Sequence, residues 1–144
     1  MNDIFGKALL DYQNGKYSED IRTETSISDE DILPIPYLFR SFSEMPLLET
    51  KALKLAKGTI LDVGCGAGNH SLYLQEKGNK VIAIDTSEGA IEVCKLRGVQ
   101  DARQIDLLQL KNEKFDTIIM LMNGTGIFQK LENIDTYLQH LKTY

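Results

Sequence analysis

The chain has little that would connect it with nucleic acid or with a membrane. Its 144 residues include 16 basic and 21 acidic side chains, a net charge of −5, and the basic residues form no cluster. Since proteins that bind nucleic acid usually carry a basic patch, we expect no nucleic-acid partner. No apolar run approaches the roughly 20 residues that cross a bilayer. The first residues also lack the basic and apolar regions of a signal peptide. These absences predict a cytoplasmic protein without membrane contact.

Cysteine and histidine are scarce as well. The chain has only Cys65, Cys94, His70 and His140, and neither pair has the spacing of metal ligands, so no metal site is predicted. A disulfide is not expected in a cytosolic chain. We expect Cys65 to be a small loop residue and Cys94 to lie on the buried side of a helix. We expect His70 to lie at the surface where a helix starts, with a position facing a ligand as the alternative.

The main positive signal is a strand followed by a glycine-rich loop and a helix. An apolar run over 59–63 contains one acid, and glycine then occupies every second position, at 64, 66 and 68. A helical pattern over 71–77 follows, and Gly78 closes it. Such a junction lets a ligand approach bare backbone and meet the positive end of a helix. The alternative is that the glycines serve only to form a tight turn between strand and helix, without binding a ligand.

The spacing of the glycines indicates which ligand this loop binds. A dinucleotide-binding loop has the pattern G-x-G-x-x-G, but Asn69 stands at its third glycine. The string D-x-G-x-G-x-G resembles instead the first motif of the class I methyltransferases that use S-adenosyl-L-methionine (SAM). The resemblance implies SAM as the cofactor, with a binding loop formed by Asp62, Gly64, Cys65, Gly66 and Gly68.

Acids follow the next predicted strands of the chain. Asp85 ends a strand over 80–85, and its carboxylate could accept hydrogen bonds from both ribose hydroxyls; Thr86 lies beside it. Asp106 follows a short strand near 101–105 and resembles the acid that the family uses for the adenine amino group. Asn123 follows a strand over 115–122, at an end that lies beside the methionine part of SAM in the family. Each could instead be a turn or helix-cap residue.

The first 57 residues have no strand–loop–helix repeat. We predict a short helix over 5–12, a mobile polar segment over 19–31, an extended proline-containing segment over 32–40, and a helix from Pro46 to about residue 56. In the family, this segment often closes over SAM. Tyr37 and Arg40 are suited to that role, because Arg40 could pair with the SAM carboxylate. Simple docking of this segment onto the sheet is the alternative.

The predicted fold is α/β, an open, doubly wound, mostly parallel sheet in three layers, with the strands in the order third, second, first, fourth. A helical lid segment, 1–57, would precede a SAM-binding Rossmann-like domain, 58–144. The sheet of the family has seven strands, so the resemblance covers only its first half. We therefore expect an incomplete domain, an exposed edge at the fourth strand that self-associates, and little activity of the 144-residue chain alone. A stripe of leucine and isoleucine at 131, 134, 138 and 141 is expected to pack a last helix on the sheet.

The resemblance implies a SAM-dependent methyltransferase. The Asn-Pro-Pro-aromatic sequence of family members that methylate amino groups of nucleic acid or protein is absent at 123–126, which favours a small-molecule acceptor. No residue is an evident catalytic base. Two alternatives remain, an NAD-binding oxidoreductase domain and a non-catalytic SAM-binding module.

Overall fold

A computed structural model describes residues 2–17, 19–122 and 124–144. The central sheet has four strands, β3 (Thr59–Val63), β4 (Lys80–Asp85), β5 (Ala102–Gln104) and β6 (Thr117–Ile119). All four are parallel, in the order β5-β4-β3-β6. This order confirms the predicted order of third, second, first and fourth strand.

Side chains from alternate positions of these strands pack under helices on both faces of the sheet, as expected for period-two strands. On one face, Leu61 and Ile82 belong to a buried cluster that includes Tyr137 of the last helix. On the other face, Ile60 and Val81 pack with Leu53 and Leu74 of two earlier helices. The helices are α1 (Ile4–Gln13), α2 (Leu47–Leu55), α3 (Asn69–Glu76), α4 (Glu88–Leu96) and α5 (Ile134–Leu141).

The fourth strand is shorter and less buried than its sequence predicts. We expected a fully buried strand over 115–122, whereas β6 pairs with β3 only from Thr117 to Ile119, and Ile118 is partly exposed. An apolar run predicts burial on both faces, but a strand also needs a neighbour to extend its pairing. In the part of the chain that the structure describes, no strand pairs with the outer edge of β6.

A β-hairpin replaces the predicted mobile segment over 19–31. Its strands are β1 (Ile21–Thr25) and β2 (Ser28–Leu33), paired antiparallel. Polar composition predicts disorder, but β-branched residues recur at every second position of β1 and favour a strand. The segment over 32–40 is extended only at its start, in β2 and at Pro34, because Ile35–Phe39 forms a 3₁₀ turn with Ile35 fully buried.

The last helix packs with a different set of residues from the predicted stripe. A 3₁₀ turn, Leu131–Asn133, precedes α5, and Leu131 and Leu138 are 86% and 44% exposed. Tyr137 is buried instead, with Ile134 and Leu141 packed beside it. The prediction that all four stripe residues pack on the sheet is wrong, because the turn moves Leu131 off the helix and Tyr137 takes part in the buried face.

Helix α1 crosses α4 at two glycines, Gly6 and Gly89, whose backbones touch. Asp3 joins the two helix starts, since its carboxylate accepts hydrogen bonds from the Gly6 amide (2.8 Å), the Gly89 amide (2.9 Å) and the Ser87 hydroxyl (2.8 Å). Burial alone would raise the pKa of Asp3, but these hydrogen bonds lower it below its usual value. The contact holds α1 over the carboxyl ends of the strands. Within the described ranges, no helix is long and apolar enough to span a membrane.

Candidate functional site

Two adjoining cavities lie at the carboxyl ends of the parallel strands, and Gly64 lines both. This is where ligands bind in open α/β sheets. The first cavity, of about 250 Å³, lies between the ends of β3, β4 and β5, and its lining includes Asp85, Thr86 and Asp106. The second, of about 200 Å³, lies over the glycine loop. The lining of the second cavity comprises Phe5, Leu33, Leu38, Arg40, Gly64, Cys65, Gly66, Ala67, Asn69, His70, Leu121 and Met122.

The glycine loop requires glycine for its backbone and for close contact. Gly64, Gly66 and Gly68 have φ values of 72°, 53° and 85°, in the left-handed region that other residues avoid. A Cβ atom on Gly64 would lie 3.0 Å from the Ile127 side chain. The loop is anchored to the sheet, because the amides of Gly64 and Cys65 donate to the Ile84 carbonyl at 2.9 and 3.0 Å. The wall between the two cavities is therefore bare, fixed backbone.

Asp85 organises this loop as well as lining the first cavity. Its Oδ2 accepts a hydrogen bond from the Gly66 amide, and its Oδ1 accepts one from the Ser87 amide, both at 3.0 Å. Each carboxylate oxygen keeps a further lone pair for a ligand. Asp106 caps the short helical turn that follows it, which was the alternative to a role in binding adenine. Its carboxylate accepts a hydrogen bond from the Leu108 amide at 2.8 Å. Its side chain still borders the cavity.

Asp62 comes just before the glycine loop, and Cys65 lies within it. Asp62 is 1% exposed, lies outside the lining of both cavities, and accepts a hydrogen bond from the Ser71 hydroxyl at 2.7 Å. Burial raises the pKa of Asp62. Cys65 lines the second cavity and its Sγ lies 3.7 Å from Sγ of Cys94, which is buried as predicted. The contact with Cys94, followed by burial, raises the pKa of the Cys65 thiol. Direct contact of Asp62 with SAM stays a prediction.

Arg40 and His70 differ from expectation, because both are buried and joined by Glu49. Arg40 donates from Nη2 to Glu49 Oε1 at 2.6 Å and stacks on the Tyr37 ring, with Cζ 4.3 Å from its centroid. His70 Nε2 lies 2.9 Å from Glu49 Oε2, so the predicted surface position of His70 is wrong. The sequence analysis missed Glu49, although it lies four residues before the buried Leu53 on the same helix face.

Tyr37 and its neighbours dock the segment before α2 onto the loop. Tyr37 itself is partly exposed and lies outside both cavities. The Asn69 amide donates to the Leu38 carbonyl at 2.6 Å, and Arg97 donates to Asn69 Oδ1 at 2.7 Å. These contacts dock the segment onto the loop, as the alternative prediction proposed. As a result, Leu38 lines the second cavity.

Two residues of the second cavity, Phe5 of α1 and Leu33 of the hairpin, were not foreseen by the sequence analysis. Met122 also lines this cavity, at the end of the predicted fourth strand. The predicted site residue Asn123 lies outside the described residues. Met122 just before it has a left-handed backbone, with φ 55°, and its sulfur lies 2.9 Å from Arg40 Nη2.

Comparison with known proteins identifies the family of this fold and site. Residues 60–143 match the family model described as a methyltransferase domain. The chain belongs to this family. Membership confirms the resemblance to class I SAM-dependent methyltransferases and SAM as the family's cofactor.

A solved methyltransferase structure is similar over nearly the whole chain. It is a SAM-dependent methyltransferase from Bacteroides fragilis in complex with S-adenosyl-L-homocysteine (SAH), with 48% identity and a TM-score of 0.91. The match covers 98% of this chain and 59% of the B. fragilis chain. The match thus includes the hairpin and the other residues before β3.

Curated relatives of the family are matched over shorter stretches. A tRNA/tmRNA (uracil-C(5))-methyltransferase from Pseudoalteromonas translucida is 31% identical over 83 residues, which are 57% of this chain and 22% of that enzyme. A ubiquinone biosynthesis O-methyltransferase from Nitrosomonas europaea is 35% identical over 63 residues, 44% of this chain and 27% of the relative. The methyltransferase chain thus spans about a quarter of these relatives, whose named substrates differ in class.

Proposed function

We propose that this chain is the SAM-binding part of a methyltransferase that acts on a small molecule. The two cavities that meet at Gly64 carry the proposal. Adenosine would occupy the first cavity, with its ribose at Asp85 and its adenine at Asp106. The methionine part would pass over Gly64 and Gly66, where a side chain on the loop would obstruct it, into the second cavity.

In this arrangement the chain contributes mainly by placing the methyl group. SAM supplies a sulfonium methyl that an acceptor displaces in line, and alignment of two reactants can contribute roughly 7–11 kcal/mol to lowering such a barrier. Asp85 would fix the ribose, while the rigid loop over 64–68 would fix the path of the methionine part. The apolar side chains of Phe5, Leu33 and Leu121 would exclude water from the second cavity.

The chemistry of the second cavity and of the surface supports a small, partly apolar acceptor. Aliphatic and aromatic side chains form much of the cavity lining, as is usual in small-molecule sites. The exposed strand β2 carries three consecutive acids, 29–31, which would repel a nucleic-acid backbone. Several curated relatives are named tRNA/tmRNA (uracil-C(5))-methyltransferases, so the expected lack of a nucleic-acid partner stays a prediction.

The first test is ligand choice. In calorimetric titrations of the 144-residue chain, we expect SAH to bind and NAD to show no heat, because Asn69 replaces the third glycine of a dinucleotide loop. Adenosine should bind more weakly than SAH, since it fills only the first cavity. NAD binding in preference to SAH would support the oxidoreductase alternative. SAH binding without methyl transfer by the longest natural form of the protein, in a screen of hydroxyl, thiol and amine acceptors, would support a non-catalytic module.

We also expect the 144-residue chain to self-associate. The outer edge of β6 is unpaired in the described part of the chain, and exposed Leu131 and Leu138 border an apolar depression with Phe128 and Ile134. An open edge beside an apolar face favours contact with a second copy. Light scattering should give a mass above that of a monomer.

A double substitution, Leu131→Lys with Leu138→Lys, should lower that mass. Leu96→Lys, the control, changes an equally apolar exposed residue at the end of α4. This substitution should leave the mass of the assembly unchanged. A wild-type chain that remains monomeric at high concentration would contradict this expectation.

A further inference from the structure

The β1–β2 hairpin projects from the domain as an arm. Ile21 and Leu33 at its base are partly buried, whereas residues 22–27 and 29–32 are exposed. Strands of this length rise about 15 Å from their base. The far end of the arm, residues 24–31, contains four acids and no basic residue, and Ile27 at its turn is 95% exposed. We call residues 24–31 the acidic tip.

The acidic tip carries charge and apolar surface that the hairpin itself does not use. Ser26 and Ile27 form the turn, where glycine, asparagine and aspartate are usual and a bulky β-branched residue is not. Arg22 Nη1 lies 3.3 Å from Glu30 Oε1, but among the described residues no ion pair neutralises the other three acids of the tip. A two-stranded hairpin is only marginally stable in water unless another surface packs against it. The tip is therefore suited to contact with a further surface.

Helix α2 presents a surface of the opposite charge. Its exposed side carries five residues, Leu47, Leu48, Lys51, Lys54 and Leu55. We call them the leucine–lysine face. A helix with 3.6 residues per turn places these residues on one side, and Glu49 and Leu53 are buried on the other. The three leucines are 69%, 79% and 80% exposed, and within the described ranges neither lysine forms an ion pair. Exposed apolar side chains grouped in this way are typical of an interaction site.

We infer that the acidic tip of one copy docks on the leucine–lysine face of a second copy. The leucines would cover Ile27 and the two lysines would pair with acids of the tip, so apolar contact and charge complementarity favour the same arrangement. Two acidic tips repel each other, which opposes pairing of hairpin with hairpin. Each copy carries both surfaces, so a pair related by a twofold axis forms the contact twice. This interface is separate from the edge of β6 and from the depression beside Leu131 and Leu138.

Sedimentation velocity over a range of protein concentrations measures the Kd of the dimer. The variant Leu131→Lys with Leu138→Lys removes the other expected contact and leaves the arm and α2 unchanged, so it serves as the parent for this test. We expect the parent to form a dimer without SAM or SAH. Its Kd should rise when the salt concentration is increased from about 0.05 M to about 0.5 M, because salt screens exposed ion pairs.

Charge reversal on either surface should weaken this dimer, and reversal on both should restore it. In the parent, Lys51→Glu with Lys54→Glu should raise the Kd by about tenfold or more, because attractions become repulsions. Asp29→Lys with Asp31→Lys should do the same. The chain with all four substitutions should return to within about threefold of the parent Kd. The control, Lys95→Glu with Lys111→Glu, changes the net charge as much as the first pair at exposed positions outside both surfaces, and should change the Kd by less than about twofold.

Crosslinking of the wild-type chain shows which copy supplies the tip, and it decides even if a variant does not fold. A carbodiimide joins a carboxylate and a lysine amine in contact as an amide. In a mixture of isotopically labelled and unlabelled chains, we expect mixed-label amides between residues 24–31 and Lys51 or Lys54. Amides within one label only would show that the tip docks on α2 of its own chain, which overturns the inference.

Three further outcomes would overturn the inference. The first is a parent chain that stays monomeric, with no mixed-label amides in the wild type. The second is a dimer that neither charge reversal weakens. The third is binding of a monomeric chain to vesicles of phosphatidylcholine and phosphatidylserine, in a ratio of about 7 to 3, that is lost in Lys51→Glu with Lys54→Glu, since this would assign the leucine–lysine face to an anionic membrane. None of these outcomes bears on SAH binding, so the proposed function would stand.

Discussion

Asp85→Ala should weaken SAH binding to this chain by on the order of a hundredfold. Removing the carboxylate would leave the ribose hydroxyls without charged acceptors, and hydrogen bonds to charged groups contribute about 1.5–3 kcal/mol each, with tenfold in Kd for every 1.4 kcal/mol. The structure adds a second loss. Asp85 also accepts hydrogen bonds from the amides of Gly66 and Ser87, so the glycine loop would lose part of its preorganisation.

Calorimetry on the purified variants is the measurement. Glu88→Ala is the matched control, because it removes an exposed acid three residues away that lies outside both cavities, and it should change the Kd by less than about twofold. Asp85→Asn retains the shape and one acceptor oxygen, so it should fall between the wild type and Asp85→Ala. An unchanged Kd in Asp85→Ala would show that the ribose does not bind at Asp85.

The sequence predicts the part of the fold in which local signals agree with long-range pairing. Strands β3 and β4 each have an apolar run, a turn and a following helix, and their bounds match the prediction closely. The strand order then follows from short right-handed connections. At β6 this reasoning fails, because an apolar run shows that a strand can be buried but not whether a neighbour is there to pair with it.

The candidate site, like the fold, is only partly predictable from the sequence. Glycine positions and strand-end acids depend on the order of residues along the chain, and the structure brings Gly64, Asp85 and Asp106 to one cavity. Arg40, Glu49 and His70 come from three elements separated in sequence, and only tertiary packing brings them into contact. A buried Glu49 could have been suspected from its spacing to Leu53, but its partners could not.

The β1–β2 hairpin shows a third limit of prediction from sequence, which arises where two local signals conflict. The acids over 29–31 predict a solvated segment, while the alternation of Ile21, Thr23 and Thr25 predicts a strand. The sequence contains no rule for weighing one signal against the other. The buried side of Ile21 packs in a cluster with Leu9 and Ile35, so contact with α1 stabilises the strand. Composition describes only the exposed face of such a hairpin.

Gly89→Ala should release α1 from the domain and open the second cavity. A Cβ atom on Gly89 would lie 2.6 Å from the Gly6 carbonyl oxygen, against backbone that cannot rotate away, so the helices must separate. Such overpacking costs about 1–3 kcal/mol or more. Separation would also strain the hydrogen bond from the Gly89 amide to Asp3 and uncover Leu9, which is fully buried. Phe5 would then leave the cavity that it lines.

Three measurements on Gly89→Ala should agree. The midpoint of thermal unfolding should fall by several degrees, at about 2–4 °C per kcal/mol for a domain of this size. The Kd for SAH should rise, and a protease should cleave the first 15 residues sooner than in the wild type, because an undocked helix of this length is marginal in water. Glu92→Ala, at an exposed position of the same helix α4, serves as the control and should change none of the three. If Gly89→Ala keeps wild-type stability and affinity, α1 is not part of the wall of the SAM site, and the second cavity must be closed by the hairpin and by Leu38 alone.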